Sequence, residues 1–173
     1  AENLRIRTAL DFVSRNVRIA DAAGNVIYAN RTMMRTLADI EGDVRASVPQ
    51  FSVERILGSN VSTLCNNPAF LRKTEAHGTG QRNELLIGQR TFEVITTPIV
   101  GESGERFGIV AEWTERTQEI SVEREVEDMI AAAVTGNFTH RIDVDGKAGF
   151  FKVLAVSMNE LVAVVASGLE DTA

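Results

Sequence analysis

The spacing of apolar residues in this 173-residue chain changes character at Trp113. Before it, three β-rich runs occupy residues 81–87 (QRNELLI), 91–100 (TFEVITTPIV) and 106–113 (RFGIVAEW). The two short, glycine-containing loops between them predict β-hairpins. After it, a helical spacing begins at Val122, Val126, Met129 and Ala133. The pattern therefore predicts a sheet domain followed by a helical segment.

The N-terminal part of the chain supplies two more strands and a set of short helices. Residues 1–15 have a loose helical spacing and predict a lead-in helix. Residues 16–21 (NVRIAD) and 25–29 (NVIYA) predict a β-hairpin, and Asn30 is a typical helix N-cap for the first of several short helices. This order predicts an α+β fold, with a five-stranded antiparallel sheet, helices on one face and an enclosed volume between them.

A second helical seam lies near the C-terminus. Its members, separated by 3 or 4 positions, are Phe151, Leu154, Met158, Leu161 and Val165. An extended connector joins it to the first seam. Because a lone helix pair leaves most of each seam in water, we expect a parallel homodimeric four-helix bundle.

The net charge of −6 is concentrated at one place in the chain. Residues 1–111 carry +1, residues 112–128 carry −5 and residues 129–173 carry −2. This acidic balance argues against a nucleic-acid surface. In a parallel dimer these negative charges would repel each other at the junction, so we expect the packing there to be easily perturbed.

Several function classes are excluded by the residues that the sequence contains. A single cysteine, Cys65, excludes an intrachain disulfide framework and fits a reducing, cytoplasmic compartment. The common hydrolase, metalloprotease and P-loop motifs are absent, so we predict no catalytic residues, no metal site and no enzyme activity. No apolar run approaches the roughly 18–20 residues that span a bilayer, and we expect no membrane contact by this segment.

Three segments resemble PAS sensor domains. They are residues 16–33 (NVRIADAAGNVIYANRTM), 57–72 (LGSNVSTLCNNPAFLR) and 90–119 (RTFEVITTPIVGESGERFGIVAEWTERTQE). Within the last, EWTERT is similar to the D-x-T-like exit motif that couples a PAS sheet to its output helix, with glutamate in place of the usual aspartate. The resemblance implies signal-coupling roles for Glu112, Glu115, Arg116 and Thr117.

The helical segment resembles a divergent HAMP unit. The resemblance covers about residues 120–168 and rests on residues 135–138 (TGNF), Arg141-Ile142, residues 149–151 (GFF), Leu154, Asn159 and Leu161. The usual opening proline and Asp-Glu pair are absent.

Together the two parts resemble a bacterial methyl-accepting chemotaxis protein of the aerotaxis or soluble type. This implies a lead-in helix at residues 1–15, a PAS sensor at 16–117 and a HAMP-like signalling unit at 118–173. It also implies a chemotaxis kinase and adaptor as partners, contacted through regions outside this chain, and a cytoplasmic location with or without a membrane anchor elsewhere.

The resemblance also implies a cofactor pocket. In aerotaxis-type PAS domains a mid-domain histidine binds haem b, and Cys65 and Phe70 stand where the family has histidines. Cys65 is interpreted as buried filler or as a thiolate ligand. Trp113 matches a tryptophan whose indole N–H faces haem-bound gas, or else plugs the pocket. His77 is interpreted as a helix-end residue or a ligand, and Phe92 completes the predicted pocket.

Three alternatives stay open at the level of sequence. Bound flavin is one, although Val61 follows Asn60 where light-sensing PAS domains have their reactive cysteine. A ligand-free dimerisation module is another, with Phe70, Phe92 and Trp113 filling the pocket. The third is the sensor region of a histidine kinase or cyclase.

Overall fold

The computed structural model describes residues 2–61 and 80–170, the side chains up to residue 168. The chain divides into two compact units, Ala1–Glu115 and Arg116–Ala173.

The first unit is built on a five-stranded antiparallel sheet. Helix α1 spans Glu2–Asp11, α2 Arg31–Asp39 and α3 Glu41–Ser47, with a 3₁₀ turn at Val53–Arg55. The strands are β1 (Asn16–Asp21), β2 (Val26–Ala29), β3 (Gln81–Ile87), β4 (Arg90–Val100) and β5 (Arg106–Glu115). They lie in the order β2-β1-β5-β4-β3. The predicted α+β fold with this sheet is confirmed.

The first hairpin forms where the sequence predicts it. Gly24 adopts a φ of 85°, which costs little for glycine alone. The Asp21 carboxylate accepts the N–H groups of Ala23 and Asn25 at 3.0 and 2.8 Å. Asn60 donates its side-chain amide to the Ala23 carbonyl at 3.1 Å, so this asparagine stabilises the turn.

Asn30 is the predicted N-cap, and it does more than begin α2. Its Oδ1 accepts the N–H of Met33 at 2.9 Å and that of Val17 in β1 at 3.1 Å. Its Nδ2 donates to the carbonyls of Leu10 and Arg15 at 3.1 and 2.8 Å. One buried amide therefore fixes α2, β1, the last turn of α1 and the chain that follows it.

The core of the first unit lies between the sheet and helices α2 and α3. Met33, Leu37, Ile40 and Val44 from the helices are buried against sheet residues. The sheet contributes Ala20, Val26, Ile87, Phe92, Val94, Ile109, Ala111 and Trp113. This face of the sheet is called the inner face below.

The second unit consists of two helices and the connector between them. Helix α4 spans Thr117–Val134 and α5 spans Gly149–Glu170. Their shared core contains Met129, Ile142, Ala155 and Val162, with Val126, Phe138, Val144 and Met158 packed around it.

The face of α5 that packs inside the chain differs from the predicted seam by about one position. Ala155, Met158 and Val162 contact the core, whereas Leu161 and Val165 of the predicted seam are exposed. The connector supplies Ile142 to the core, and its position selects this neighbouring face of the helix. A second apolar face of α5 is left outside the intrachain core.

Two polar groups hold the connector against the helices. The Asn159 side chain accepts the N–H of Ile142 at 2.8 Å and donates to its carbonyl at 2.9 Å. Glu125 on α4 accepts the N–H of Asp143 at 2.8 Å and pairs with Lys147 at 2.9 Å. One of the acidic residues that give the junction its charge of −5 therefore pairs with a lysine within the unit.

Helix α5 is long and apolar enough, by length and composition only, to cross a membrane over Gly149–Gly168. The expectation that no apolar run approaches this length is therefore wrong. The same helix carries Lys152 and Glu160, and Ala155 and Val162 are buried in the core of the unit. Core helices of water-soluble proteins pass this test too, and the absence of membrane contact stays a prediction.

Glu125 makes the stability of the second unit depend on pH. Partial burial raises the pKa of Glu125, but hydrogen bonds from Lys147, Ser121 and the Asp143 N–H outweigh that effect and lower it below its usual value. A lowered folded-state pKa stabilises the fold above the unfolded-state pKa, and this contribution is lost as the pH falls through the folded-state value. We expect Glu125→Gln to lower the free energy of unfolding at pH 7 by about 1 kcal/mol, and the difference from wild type to be smaller at pH 3.

Helix unfolding followed by circular dichroism at both pH values measures this effect. Glu127→Gln, which removes the same charge from an exposed position on the same helix, is the matched control. Equal losses for the two variants at pH 7 would contradict the role of the connector contacts.

Candidate ligand-binding site

Cross-strand pairing arranges the inner-face side chains of the first unit in rows. Residues that pair across antiparallel strands point to the same side of the sheet. One row contains Asn16, Trp113, Val94 and Asn83. The next contains Arg18, Ala111, Thr96 and Gln81. A row with three polar members therefore lies beside the row that carries Trp113.

Trp113 and Phe92, two of the predicted pocket residues, meet on this face. Their ring centroids are 5.7 Å apart at an interplanar angle of 53°, and both rings belong to the core. Trp113 is 1% exposed, and its Nε1 has no hydrogen-bond partner among the residues that the structure describes. Because an indole N–H only donates and its burial without a partner is costly, an acceptor is expected at this point.

Arg18 is the residue of this face that the sequence did not single out. Its side chain is 2% exposed, and the guanidinium carbon lies 5.9 Å from the centre of the Trp113 ring, within cation–π range. The guanidinium remains charged even when buried. A signal was present, because strand alternation places Arg18 on the same side as Ala20, a core position.

Thr96 adds a hydroxyl to the same row. It is 4% exposed, and its Oγ1 has no partner within the described part of the chain. Ala111 separates it from Arg18 and contributes only a methyl group to this face. At the far end of the row, the Gln81 Oε1 is likewise buried without a partner in residues 2–61 and 80–170. The row therefore carries the Thr96 hydroxyl and the Gln81 carbonyl acceptor beside the small residue Ala111.

The other predicted pocket residues, Cys65, Phe70 and His77, lie outside the described residues. Their roles stay predictions.

The predicted coupling residues of the first unit form weak ion pairs. Glu112 lies 3.9 Å from Arg15, and Glu115, at the end of β5, lies 3.8 Å from Arg90. All four side chains are well exposed, so each pair contributes little to stability. The coupling roles of these glutamates are not tested by this geometry.

The coupling residues of the second unit lie at the start of α4. Arg116 precedes the helix and pairs with Glu119 at 2.9 Å and with Glu123 at 3.9 Å. Thr117 is the first helical residue. These pairs stabilise the first turn of α4, and the predicted signalling roles stay predictions.

A groove of about 550 Å³ lies elsewhere on the first unit, along α1. It is open to solvent and lined by Asn3, Leu4, Ile6, Arg7, Leu10, Ile19, Ile27 and Tyr28. Burial, followed by the hydrogen bond to Asp11 at 2.8 Å, raises the pKa of Tyr28 to about 12. This hydroxyl therefore stays protonated at neutral pH and anchors α1 to β2. The groove contains none of the predicted site residues.

Within residues 2–61 and 80–170, no group of three or more histidine, cysteine or acidic side chains is placed to hold a metal ion.

Comparison with known proteins identifies both the fold and a relative. No known family profile matches the chain. A PAS domain of the Aer2 receptor from Vibrio cholerae, described as a dual PAS-heme oxygen sensor, superposes with a TM-score of 0.52 at 20% identity, covering 58% of this chain and 93% of that one. An RNA-binding light-oxygen-voltage receptor gives a TM-score of 0.57 at 14% identity, covering 78% and 38%.

The first unit has the PAS fold.

A sequence relative extends the similarity over both units. The chain is 41% identical over 172 residues to the methyl-accepting chemotaxis protein McpB of Pseudomonas aeruginosa, which covers 99% of this chain. It spans about a quarter of the length of McpB, 25%. The PAS domain and its second unit are therefore homologous to one segment of a chemotaxis receptor. The prediction of a non-enzymatic signalling segment agrees with this homology.

Proposed function

We propose that this chain is the sensing and relay segment of a bacterial chemotaxis receptor. The PAS domain binds a small molecule on the inner face of its sheet, and occupancy is relayed through β5 into α4. The observation that carries this proposal is the Trp113 indole N–H, a buried donor without a partner among the described residues, on the strand that ends at Glu115. Because α4 begins at Thr117, one residue joins the sensing strand to the output helix.

The mechanism is a shift between two populations. A ligand that accepts the Trp113 hydrogen bond stabilises one arrangement of β5 over another. Only this difference in binding free energy is available to change the output. Because a single residue, Arg116, links β5 to α4, little flexible chain is present to take up a change in the arrangement of β5.

The second unit acts in this proposal as a divergent HAMP-like relay in a homodimer. Its intrachain core is small, and α5 exposes Phe150, Val153, Leu161 and Val164. A few buried residues rarely stabilise two helices alone. A second copy of the chain, packed in parallel on this face, would bury it.

Haem b is the cofactor that the family resemblance favours for the pocket. Trp113 supplies a donor suited to an iron-bound oxygen atom, but the inner face offers no histidine or cysteine among the described residues. Cys65 and His77 are the candidate iron ligands. A flavin and an empty, ligand-free pocket are the alternatives, and Asn60 is engaged with the first turn instead of facing a flavin.

The full-length receptor would meet the chemotaxis kinase and adaptor through regions outside this chain, and this segment would lie in the cytoplasm. Homology with McpB favours this output over that of a histidine kinase or cyclase.

The relay through β5 predicts an epistatic effect on kinase output. In a full-length receptor carrying this chain, Trp113→Phe removes the indole donor and should shift the basal activity of the coupled kinase. Insertion of two glycines after Glu115 should abolish the difference between Trp113→Phe and wild type, because it makes the link flexible.

The matched control inserts the same two glycines into the exposed β4–β5 loop, between Glu102 and Ser103, where the difference should persist. A difference that survives the insertion after Glu115 would show that the pocket does not signal through this link.

If the chain is a homodimer, sedimentation equilibrium should give the mass of two chains. Leu161→Glu places a charge on the exposed apolar face of α5 and should weaken the dimer at least about tenfold. Ala163→Glu adds the same charge to another side of the helix, about 160° away, and should leave the dissociation constant unchanged. A wild-type chain that is monomeric at high concentration would contradict the homodimer.

Haem binding predicts a Soret band when the purified chain is reconstituted with haem. Cys65→Ala should remove or shift the band if the thiolate is the ligand, and His77→Ala should do so if the imidazole is. A chain that acquires no Soret band has a different ligand or none.

A further inference from the structure

We propose that strand β3 pairs with β3 of a second copy of this chain, as an antiparallel, two-fold symmetric extension of the sheet centred on Asn83. The contact joins the sheets of two PAS domains into one. It goes beyond the sensory function proposed above and does not depend on it.

The two edges of the PAS sheet differ in how they are covered. β2 is four residues long, and the chain after the 3₁₀ turn lies along it. Val26 donates its N–H to the Ser59 carbonyl at 2.8 Å, and Gly58 donates its N–H to the Val26 carbonyl at 2.7 Å. β3 is seven residues long, contains no proline and pairs with β4 without a bulge. None of the described residues pairs with its other side, and a long, regular edge of this kind can accept another strand.

The β3–β4 hairpin decides which backbone groups of β3 point away from the sheet. Its two-residue loop closes on a hydrogen-bonded pair, Ile87 and Arg90. Hydrogen-bonded and non-hydrogen-bonded pairs alternate along an antiparallel ladder, so every second residue counted back from Ile87 directs its N–H and C=O groups to β4. The outward groups belong to the residues between them, which are Arg82, Glu84 and Leu86.

Charge selects one register for the pair of strands. In the register centred on Asn83, Arg82 lies opposite Glu84 of the second copy, and their outward backbone groups bond to each other. The same contact forms twice because of the two-fold axis. A register centred on Glu84 also satisfies the backbone, but it places two glutamates opposite each other. Opposite charges across two strands stabilise the pair and like charges destabilise it, so the register centred on Asn83 is favoured.

Glu84 lacks a compensating charge within its own chain. It lies directly opposite Glu93 of β4, and it makes no ion pair with any residue that the structure describes. Glu93 is paired with Arg82 at 3.3 Å, and the Arg82 side chain remains 68% exposed. Arg82 of the second copy therefore supplies the positive charge that Glu84 lacks.

The inner face of β3 is also suited to pairing with itself. Asn83 lies opposite Asn83 of the second copy, and a primary amide both donates and accepts, so the two side chains can bond to each other. Gln81, on the same face, has a buried Oε1 without a partner in residues 2–61 and 80–170. Asn83 of the second copy is its diagonal neighbour, within reach of a long side chain.

Disulfide trapping tests the pair on the intact 173-residue chain, because two short strands form too small a contact for a stable interface by themselves. All variants carry Cys65→Ser, which removes the single native cysteine. In the proposed register the two Asn83 residues form a non-hydrogen-bonded pair, with Cα atoms about 4.5 Å apart, within the range of a disulfide. Asn83→Cys should therefore give a covalent dimer on mild oxidation, seen on a non-reducing gel.

Gln81→Cys is the matched control. It lies on the same face of β3, is also partly buried and is two positions from the axis. The two copies of this residue are separated by roughly 14 Å along the strands, too far for a disulfide. We expect Asn83→Cys to cross-link at least about tenfold faster than Gln81→Cys.

Exchange of the two charges tests the register. In the Asn83→Cys chain, Arg82→Glu or Glu84→Arg places like charges opposite each other twice, and each should slow cross-linking at least about threefold at low salt. The double exchange restores opposite charges and should restore the rate. Arg106→Glu makes the same change of charge as Arg82→Glu at an exposed position on β5 and should have little effect. Fluorescence of Trp113, the single tryptophan, checks that each variant keeps its core.

Three results would overturn the inference: no cross-link through Asn83→Cys, equal rates for Asn83→Cys and Gln81→Cys, or no recovery in the double exchange. If a charge variant fails to fold, the comparison of the two cysteine variants, in which both charges are native, still decides the matter. None of these results depends on kinase output or on a bound ligand.

The helical homodimer proposed above fails or survives separately. A chain that cross-links selectively at Asn83→Cys but sediments as a monomer when reduced has the β3 contact and lacks the helical dimer. A chain that sediments as a dimer without selective cross-linking keeps the proposed helical dimer and overturns the β3 contact.

Discussion

The buried side chain of Asn30 is the constraint on which the rest of the PAS domain depends. A primary amide has two acceptor and two donor positions, and Asn30 uses both sets on backbone groups of α2, β1, the last turn of α1 and the chain after it. Each of these groups would be costly to bury alone. The amide therefore fixes the start of β1 against α2, and two residues further along the strand the same constraint sets the direction of Arg18.

A cation on the inner face is expensive for a small domain, and its position explains why it is tolerated. Desolvation of a guanidinium costs several kcal/mol unless other groups compensate it. Arg18 lies over the Trp113 ring, and the same region contains the Trp113 and Thr96 donors, which have no partner within residues 2–61 and 80–170. Local departures from the rule that interiors are apolar and satisfied are typical of functional sites. The inner face shows this pattern, because its buried polar side chains cluster in two adjacent rows and the surrounding core is apolar.

The features that the sequence predicted well depend on local chemistry. Gly24 and Asp21 define the first turn, Asn30 defines the start of α2, and the glycine-containing loops between the last three strands define their hairpins. The rows of the inner face depend instead on the register between β1 and β5, and Arg18 pairs with Ala111, 93 positions further along the chain. No local turn sets that register. Arg18 was therefore treated as one more strand residue. The packed face of α5 was missed for a similar reason, because the position of Ile142 decides which of two adjacent apolar stripes meets the core.

The connector of the second unit is held at two polar points and packed at one apolar point. Asn159 binds both backbone groups of Ile142, Glu125 binds Asp143 and Lys147, and the Ile142 side chain is buried between these anchors. Because hydrogen bonds to fixed groups lose strength steeply when their geometry changes, small displacements of α4 and α5 cannot be absorbed at the anchors one at a time. A displacement of α4 against α5 therefore acts on both anchors at once, and this coupling is the property that the proposed relay requires.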